Sequence, residues 1–509
     1  MAAAGREMGW GEYLTQDFYH LSILPLLAAT IGLAYAARPT AGDELPAGFR
    51  KFQMKYLTVW ALCVAADWLQ GPYVYALYAA YGFTSAEIAQ LFVAGFGSSM
   101  VFGCIVGTVT DKFGRKKCCI MYCLLYIASC MTKHFKQYQI LMLGRITGGL
   151  ATSMLFSCFE CWMVSEHTQR HSFSGGLLGY MFGMMFTVMY SVAIISGLAG
   201  QVAADAFTFG PMLGEGGIFY TGGYCCPFDL AILCLIIGLL LIIPGFEENY
   251  GNAEGDASSS LMDNLRDAVR ILGKDKRALL LGVVVSSFEG SMFAFVFNWT
   301  PALNSSKIPP PHGVIFALFM MSCMCGASMS TLLGSIMKPA TRLNVTFASG
   351  FACFVMASHA VASGAEDNLR LSLMAFLMFE FCVGVYFPSV GVLKSEIVPE
   401  AVRGTVYNIY RIPLNAIVVG LLLSNISMAT CFKLNAVLLL ISLGCMVAIS
   451  TAPSTSSNSS SGEIEMPPKT GSLEGSSYAP VETDVLTEDS ATTATVVGRR
   501  RNGGDSDYV

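Results

Sequence analysis

Apolar runs of about 20 residues recur along the chain from near its N-terminus to about residue 450. A helix of about 20 apolar residues crosses the ~30 Å hydrocarbon core of a bilayer, whereas barrel strands are about half that length. A helix also satisfies its backbone donors and acceptors within one segment, as lipid requires. The pattern therefore predicts an all-α integral membrane protein, with apolar segments at about 18–37, 56–79, 87–110, 118–134, 138–164, 176–204, 229–245, 279–299, 313–337, 344–364, 371–395, 405–426 and 430–450.

A polar and charged stretch in the middle of the chain separates two sets of six apolar segments, and one further segment precedes them. The halves share a faint repeat, because the spacing Gly-x3-Asp-x3-Arg at Gly107 is echoed by Gly-x3-Lys-x3-Arg at Gly334. Repeats of this kind relate the halves of many membrane transporters. The predicted domains are an N-terminal helix with a basic linker (1–55), the first half (56–245), the middle loop (246–277), the second half (278–451) and a tail (452–509).

Lysine and arginine concentrate in alternate connections, which identifies the cytoplasmic side by the positive-inside rule. Basic clusters precede the second apolar segment, follow the third and crowd the middle loop, whereas the connections at 80–86 and 205–228 contain no Lys or Arg. The first apolar stretch, 18–37, lacks a basic leader and a clear cleavage site, so it is expected to be retained. Whether it spans the bilayer or lies at the interface stays open.

Composition agrees with a membrane protein rather than a soluble domain, and the motifs of enzymes and metal sites are not found. The chain is 54% hydrophobic and 13% charged, with a mean hydropathy of +0.56, whereas soluble domains carry about 25% charged residues. The net charge of -5 identifies no partner, because part of the acidic excess lies in the C-terminal tail. No nucleic-acid partner is predicted. Most of the 17 cysteines lie in apolar runs, where a thiol behaves as a small hydrophobe. We find no phosphate-cradling loop, catalytic triad or metal-ligand spacing, so no enzyme, cofactor or metal site is predicted.

From about residue 452 the composition changes to Ser, Thr, Gly, Pro and acidic residues. Such a segment cannot bury enough apolar surface to fold, so we expect a disordered cytoplasmic tail. The basic cluster 499–501 offers a site for lipid headgroups, and the terminal residues 507–509 offer one for a tail-binding protein. Solvated tail charge is the ordinary interpretation of both.

The most specific local signal lies between the second and third core segments. The stretch from Gly107 to Lys117 matches the major facilitator loop pattern G-x-x-x-D-[RK]-x-G-R-[RK]. Such a loop is expected to stabilise one access state, with its acidic residue complementing a neighbouring helix N-terminus. A plain positive-inside loop is the alternative, but it would not need glycines and an aspartate at this spacing. The predicted gating residues are Gly107, Asp111, Lys112, Gly114, Arg115 and Lys116.

Polar side chains inside apolar segments supply the candidate site. Gly144-Arg145-x-x-Gly148-Gly149 resembles the membrane-embedded arginine motif of the major facilitator superfamily. An embedded Arg faces either a cavity or a carboxylate partner, and both alternatives stay open. The substrate-binding candidates are Arg145, Arg411, Tyr73, Gln70, Asn298 and Asn415, and the candidates for proton coupling or charge pairing are Asp67, Glu160, Glu289 and Glu380. Helical spacing also predicts an inward stripe of Asp67, Gly71, Tyr75 and Tyr78.

Several separated motifs occur in order: Ala66-Asp-Trp-Leu-Gln-Gly-Pro-Tyr73, Phe156-Ser-Cys-Phe-Glu-Cys-Trp162, Glu248-Asn-Tyr250, Phe297-Asn-Trp-Thr-Pro301 and Tyr386-Phe-Pro-Ser389. From about residue 50 to 450 the chain resembles the eukaryotic molybdate-anion transporter family of the major facilitator superfamily. The resemblance implies a twelve-helix-type fold, a plasma-membrane location and high-affinity uptake of molybdate. It does not carry over the residues that bind the anion.

These patterns predict a secondary transporter that works by alternating access between its two halves. Arg145 and Arg411 are the embedded cations able to bind a tetrahedral dianion, and proton coupling through an embedded carboxylate would offset its charge. One alternative is a major facilitator protein for sulfate, a sugar or an organic acid. The other is a membrane nutrient sensor that binds a solute without moving it.

Overall fold

The computed structural model describes residues 18–41, 45–212, 214, 216–250, 266, 269–304, 310–363, 368–398, 403–424 and 426–451. The predicted tail, 452–509, lies outside the described residues, as does most of the middle loop.

Long helices account for nearly all of the described chain. Ten of them are long and apolar enough to cross a membrane, including the helix nearest the N-terminus. The helices are α1 (Phe18–Ala36), α2 (Phe49–Gln70), α3 (Val74–Ala80), α4 (Ser85–Phe113), α5 (Arg115–Thr132), α6 (Tyr138–Ser165), α7 (Gly175–Ala206), α8 (Cys226–Gly245), α9 (Lys276–Ala302), α10 (His312–Leu332), α11 (Pro339–Ala362), α12 (Leu369–Ile397), α13 (Arg403–Leu423) and α14 (Met428–Thr451).

The helices form two halves, each with its own hydrophobic core. In the first half, α2 to α8 pack around aromatic residues such as Tyr56 and Trp162, whose rings stack 6.2 Å apart. In the second half, α9 to α14 pack around a similar cluster in which Phe288 stacks on Tyr386 at 3.9 Å. The halves meet where α4 packs on α13 and where α7 packs on α10.

The two ends of the helix bundle differ in their chemistry. We call one the basic end, where residues 114–117 meet residues 247–250. The other is the hairpin end, which carries the two-stranded sheet of β1 (Gly210–Pro211) and β2 (Tyr220–Thr221). The hairpin is fixed to the connection after α5, because Phe135 forms a β-bridge with Phe219 and Tyr220 N–H donates to the His134 carbonyl at 2.8 Å.

The additional helix α1 packs on the second half. The hydroxyl of Thr30 lies 3.3 Å from the Met321 carbonyl oxygen of α10, and Tyr19 is buried in the second core. At the hairpin end, the Arg370 guanidinium lies 5.5 Å from the ring centroid of Phe18. After α1 the chain reaches the first half, where Pro39 packs against Gly183 of α7. The helix therefore runs alongside the bundle from the hairpin end toward the basic end.

Candidate functional site

Aromatic rings join the two halves toward the hairpin end. Phe92 and Phe96 of α4 lie one turn apart and face α9 of the second half. The ring centroids of Phe92 and Phe297 are 5.3 Å apart, and those of Phe96 and Phe293 are 5.1 Å apart. Tyr75 of α3 adds a contact with Phe297 at 5.4 Å. Because inclined ring pairs of this kind are favourable, this aromatic layer holds the halves together.

A second closing contact joins α7 and α10 at the same end. A Cβ on Gly197 would lie 2.6 Å from the carbonyl oxygen of Gly313, so the two backbones meet with no room for a side chain. Gln201 lies one turn further along α7. Its Oε1 accepts hydrogen bonds from the Gly313 N–H at 2.9 Å and from the Tyr73 hydroxyl at 3.3 Å. Together with the aromatic layer, this seam closes the halves at the hairpin end.

Beyond the aromatic layer, toward the basic end, the same face of α4 becomes small and polar. Ser99 and Gly103 follow Phe92 and Phe96 at i, i+4, i+7 and i+11 spacing, which keeps all four on one helix face. Ser99 lies at the centre of α4, about 21 Å from either end. Its hydroxyl is 3.1 Å from that of Ser153 on α6, which also donates to the Ser99 carbonyl at 2.8 Å. This serine pair is half-buried.

Arg411 brings a positive charge from the second half to the serine pair. Leu414, Val418 and Leu422 of α13 pack into the first core, and Arg411 lies three residues before Leu414 on the same face. The Arg411 Nη1 atom lies over Gly103 of α4, 3.6 Å from where a Cβ would stand. Within the described ranges, no carboxylate lies at ion-pair distance from Arg411. Its charge is therefore available to a ligand.

Arg145 lies within the first half, behind the aromatic layer. Its Nε donates to the Leu91 carbonyl at 3.0 Å, its guanidinium packs against Gly95 of α4, and its Cζ lies 4.9 Å from the ring centroid of Phe92. A carboxylate partner was one of the two alternatives for Arg145, and none is found among the residues that the structure describes. Arg145 therefore supports the aromatic layer through Phe92 and is not grouped with Arg411.

The other predicted substrate-binding residues divide in two. Gln70 and Asn298 are buried, and each donates to a backbone carbonyl one turn earlier on its own helix. Tyr73 belongs to the seam between α7 and α10, so its hydroxyl closes the hairpin end. Asn415 lies one turn from Arg411 on α13 and donates to the Arg411 carbonyl at 2.6 Å. Of these four, Asn415 is the one that the structure brings beside Arg411.

Two of the predicted carboxylates already have partners. Asp67 accepts a hydrogen bond from the Tyr126 hydroxyl of α5. Glu289 accepts one from the Tyr386 hydroxyl at 3.0 Å and lies 3.6 Å from the Lys394 ammonium. Charge pairing therefore describes Glu289 better than an isolated titrating group does.

The other two carboxylates are buried without such partners. Glu160 of α6 is 8% exposed and Glu380 of α12 is 6% exposed. No hydrogen bond or ion pair to either group is found among the described residues. A buried, unpaired carboxylate is costly, which distinguishes these two groups from Asp67 and Glu289.

The predicted inward stripe on the first core segment is wrong in part. Tyr75 contacts Phe297 of the second half as expected, but Asp67 faces α5 and Tyr78 is fully buried in the first core. The physical reason is a break in the helix. Residues 71–73 form a turn between α2 and α3, so a single helical spacing does not apply across it.

The predicted gating loop forms a fixed joint at the basic end. Gly114 has a φ of +105°, and a Cβ there would lie 2.6 Å from the carboxyl carbon of Glu248. The Glu248 carboxylate accepts from the backbone N–H groups of Lys116 at 2.8 Å and Lys117 at 3.3 Å. Because these are the first N–H groups of α5, Glu248 caps that helix and complements its dipole. The joint therefore fixes the start of the middle loop to the first half.

The expected role of Asp111 is therefore filled by another residue. Asp111 pairs with Arg115 at 2.9 Å, and Lys112 between them is exposed. Gly107 lies within α4. The prediction placed an acidic group at a helix N-terminus, and the structure has Glu248 there because residues 246–250 return to the start of α5. Nothing in the local spacing of residues 107–117 signals that return.

A charged contact at the hairpin end joins His134, in the connection after α5, to Asp229 in the first turn of α8. His134 Nε2 is 3.2 Å from the Asp229 carboxylate, and its Nδ1 is 2.8 Å from the Tyr220 carbonyl oxygen. Burial alone would lower the pKa of His134, but Asp229, Cys225 and the Tyr220 carbonyl raise it to about 10. The imidazolium therefore ties the hairpin to the connection after α5 at neutral pH.

Comparison with known proteins identifies the family. A family model described as sugar transporters with 12 transmembrane segments matches residues 18–373. The molybdate-anion transporter of Xenopus laevis is 34% identical over 447 residues, which cover 85% of this chain and 94% of that protein. The chain belongs to the molybdate-anion transporter family of the major facilitator superfamily. The Xenopus tropicalis molybdate-anion transporter is 33% identical over 86% of this chain and 95% of its own length.

Solved structures of the superfamily share the fold. The nucleoside transporter NupG aligns with a TM-score of 0.59 at 12% identity, covering 79% of this chain and 99% of that one. This likeness and the family membership confirm the all-α major facilitator fold and the transporter class predicted from the sequence. The described residues contain no group of three or more His, Cys, Asp or Glu side chains placed to hold a metal ion.

Ser99, Ser153 and Glu248 are the site residues that sequence reasoning missed. The serines are small and lie in apolar segments, where they resemble ordinary packing residues. A signal did exist, because Phe92, Phe96, Ser99 and Gly103 follow one helical spacing. Glu248 belongs to a motif that carried the family resemblance, but its contact with α5 is long-range.

Proposed function

We propose that this protein mediates high-affinity uptake of molybdate across the plasma membrane by alternating access. The curated relatives carry molybdate in their names, and Arg411 is the observation that carries the proposal here. Its guanidinium has no carboxylate partner among the described residues, and it lies beside Gly103 of the other half, where the Ser153 hydroxyl of the serine pair also lies. Guanidinium and hydroxyl donors suit a tetrahedral dianion.

The arrangement of the halves supports a state closed on one side. The aromatic layer and the α7–α10 seam both lie toward the hairpin end, and Arg411 lies about 12 Å into α13 from its start at the basic end. By the positive-inside rule the basic end is cytoplasmic, and the tail that follows α14 is cytoplasmic too. The described state is then closed to the outside, and rocking of the halves would expose the site to the other face.

Proton coupling is the second part of the proposal. Bringing two negative charges into a cell with an inside-negative potential costs roughly 4.6 kcal/mol at 100 mV. Moving at least two protons with each anion would cancel that charge. Glu160 and Glu380 are the favoured carriers, because they are buried and have no hydrogen-bond or ion-pair partner in the described part of the chain, whereas Asp67 and Glu289 already have hydroxyl or ammonium partners.

Uptake measurements test this function directly. Cells lacking their own molybdate transporter would express the intact chain, and initial uptake would be followed at nanomolar molybdate with excess sulfate or sugar as competitors. We expect uptake that resists sulfate, rises at acidic external pH and collapses with a protonophore. Inhibition of molybdate uptake by excess sulfate or sugar would indicate that the protein transports a different solute. Solute binding without uptake by well-localised protein would favour a sensor, and pH-insensitive uptake would refute the coupling alone.

A further inference from the structure

The serine pair and Arg411 occupy the two sides of the contact between the halves. Ser99 and Ser153 belong to α4 and α6 of the first half, and Arg411 belongs to α13 of the second. A ligand bound between them would touch both halves at once. That is the position from which a ligand can control rocking, because it binds each access state through different contacts.

The hydrogen-bond inventory leaves a donor for a ligand. Ser153 has one hydroxyl proton, which the Ser99 carbonyl at 2.8 Å or the Gly149 carbonyl at 3.1 Å accepts. The Ser99 hydroxyl has the Ser153 oxygen at 3.1 Å as its partner, and it is free to rotate toward another acceptor. Arg411 adds the planar donors of its guanidinium. Both sides of the contact therefore supply hydrogen-bond donors that suit an anion.

Gly103 keeps the space between these donors open. It lies one turn from Ser99, and the Arg411 Nη1 and Ser153 Oγ atoms lie 3.6 Å and 3.8 Å from where its Cβ would stand. Both are ordinary van der Waals distances, so an alanine fits the protein without strain. The methyl group would nevertheless enter the volume that borders Arg411 and Ser153.

We propose that the tetrahedral oxyanion binds between the Arg411 guanidinium and the Ser99–Ser153 hydroxyl pair, with Gly103 forming the floor. This inference rests on the proposed function and adds its binding residues. The aromatic layer closes the site toward the hairpin end, because Phe96 lies on the same face of α4, three residues before Ser99. Arg145 lies outside this site.

Three variants test the site in the full-length protein: Arg411→Lys, Ser99→Ala and Gly103→Ala. Arg411→Lys keeps the positive charge but loses the planar pair of guanidinium donors. Ser99→Ala removes the hydroxyl that can rotate toward the anion. Arg411→Lys and Ser99→Ala should each raise the apparent KM for molybdate on the order of tenfold, as expected for a hydrogen bond to a charged group. Gly103→Ala should also raise it, because the added methyl group enters the space beside Arg411 and Ser153. Gly97→Ala is the matched control, because it lies on the same helix and its Cβ would meet nothing within 4 Å.

Surface expression and thermal stability would be measured for every variant, and molybdate and sulfate binding would be measured on the purified protein. If the intact chain transports molybdate and well-expressed variants keep its KM, the site is refuted while the function stands. If the intact chain binds sulfate but not molybdate, and Arg411→Lys abolishes that binding, the site stands and the function falls. Failure of the intact chain to bind either ion refutes both.

Discussion

Gly114 has a conformation and a neighbour that exclude other residues. Gly114→Ala should lower the stability of the protein by about 1–3 kcal/mol, because a non-glycine residue at positive φ is strained and its Cβ would displace Glu248. Thermal unfolding of the purified protein would measure the change. Gly176→Ala is the control, since this glycine also lies at the basic end and its Cβ would meet nothing within 4 Å. Equal unfolding temperatures would contradict the proposed joint.

Arg145 should affect the rate of transport more than the affinity for the ion. Arg145→Lys keeps a positive charge but loses the flat guanidinium that packs over Phe92. We expect the maximal uptake rate to fall on the order of tenfold with little change in KM, because the variant disturbs the aromatic layer rather than the anion site. Uptake rates over a range of molybdate concentrations would separate the two. A raised KM at an unchanged maximal rate would instead assign Arg145 to the ion.

His134 should make stability depend on alkaline pH. Its pKa is about 10 in the folded protein, above the ordinary value of 6.5, so protonation favours the folded state. The contribution is fully present below pH 6.5 and is lost as pH rises through about 10. The difference in unfolding temperature between the intact chain and His134→Gln should therefore shrink from pH 6 to pH 10. A constant difference would show that the contact with Asp229 does not depend on charge.

At the scale of elements, α9 and α12 carry carboxylates with opposite expectations. Glu380→Gln on α12 keeps the shape of the side chain but cannot exchange a proton, so uptake should persist with a weaker dependence on external pH, because Glu160 remains as a carrier. Glu289→Gln on α9 leaves Lys394 without its anionic partner, so protein yield and stability should fall. Uptake at several pH values, normalised to surface protein, would compare them. Normal pH dependence in Glu380→Gln would exclude that residue as the carrier.

The helices themselves were largely predictable, because the length and apolarity of each segment depend on local sequence. Contacts between helices were not. Gln70 and Asn298 are polar residues in apolar segments, yet both satisfy their own helix backbone. Ser99 and Ser153 are less conspicuous, yet α4 and α6 bring them together, and Ser153 lies beside Gly103 as Arg411 does. Sequence spacing shows which residues share a helix face, but the identity of the opposing helix requires the tertiary fold.

At the scale of the whole molecule, the fold and transporter class followed from the repeated apolar segments, the polar middle loop and the family motifs. The position of α1 could not be predicted, because an apolar helix of that length can pack on any lipid-facing surface. Thr30 of α1 is buried beside α10, so the position of this helix depends on the surface of the second half.

The tail should be dispensable for transport. Deleting residues 452–509 removes a polar segment that follows the last helix, so uptake per molecule at the cell surface should remain within about twofold of the intact chain if no packing is lost. Surface labelling combined with uptake would measure this ratio. Loss of uptake by truncated protein that still reaches the surface would assign the tail a direct role and strengthen the sensor alternative.

The course of α1 creates a second tether between the halves. Residues 37–48 lead from a helix docked on the second half to α2 in the first, and Pro39 is already seated on α7. A chain of this length reaches at most about 40 Å when fully stretched. If α1 stays docked while the halves move, the length of residues 37–48 limits how far the halves can separate at the basic end. The amplitude of the conformational change would then depend on the length of this segment as well as on the contacts at the site.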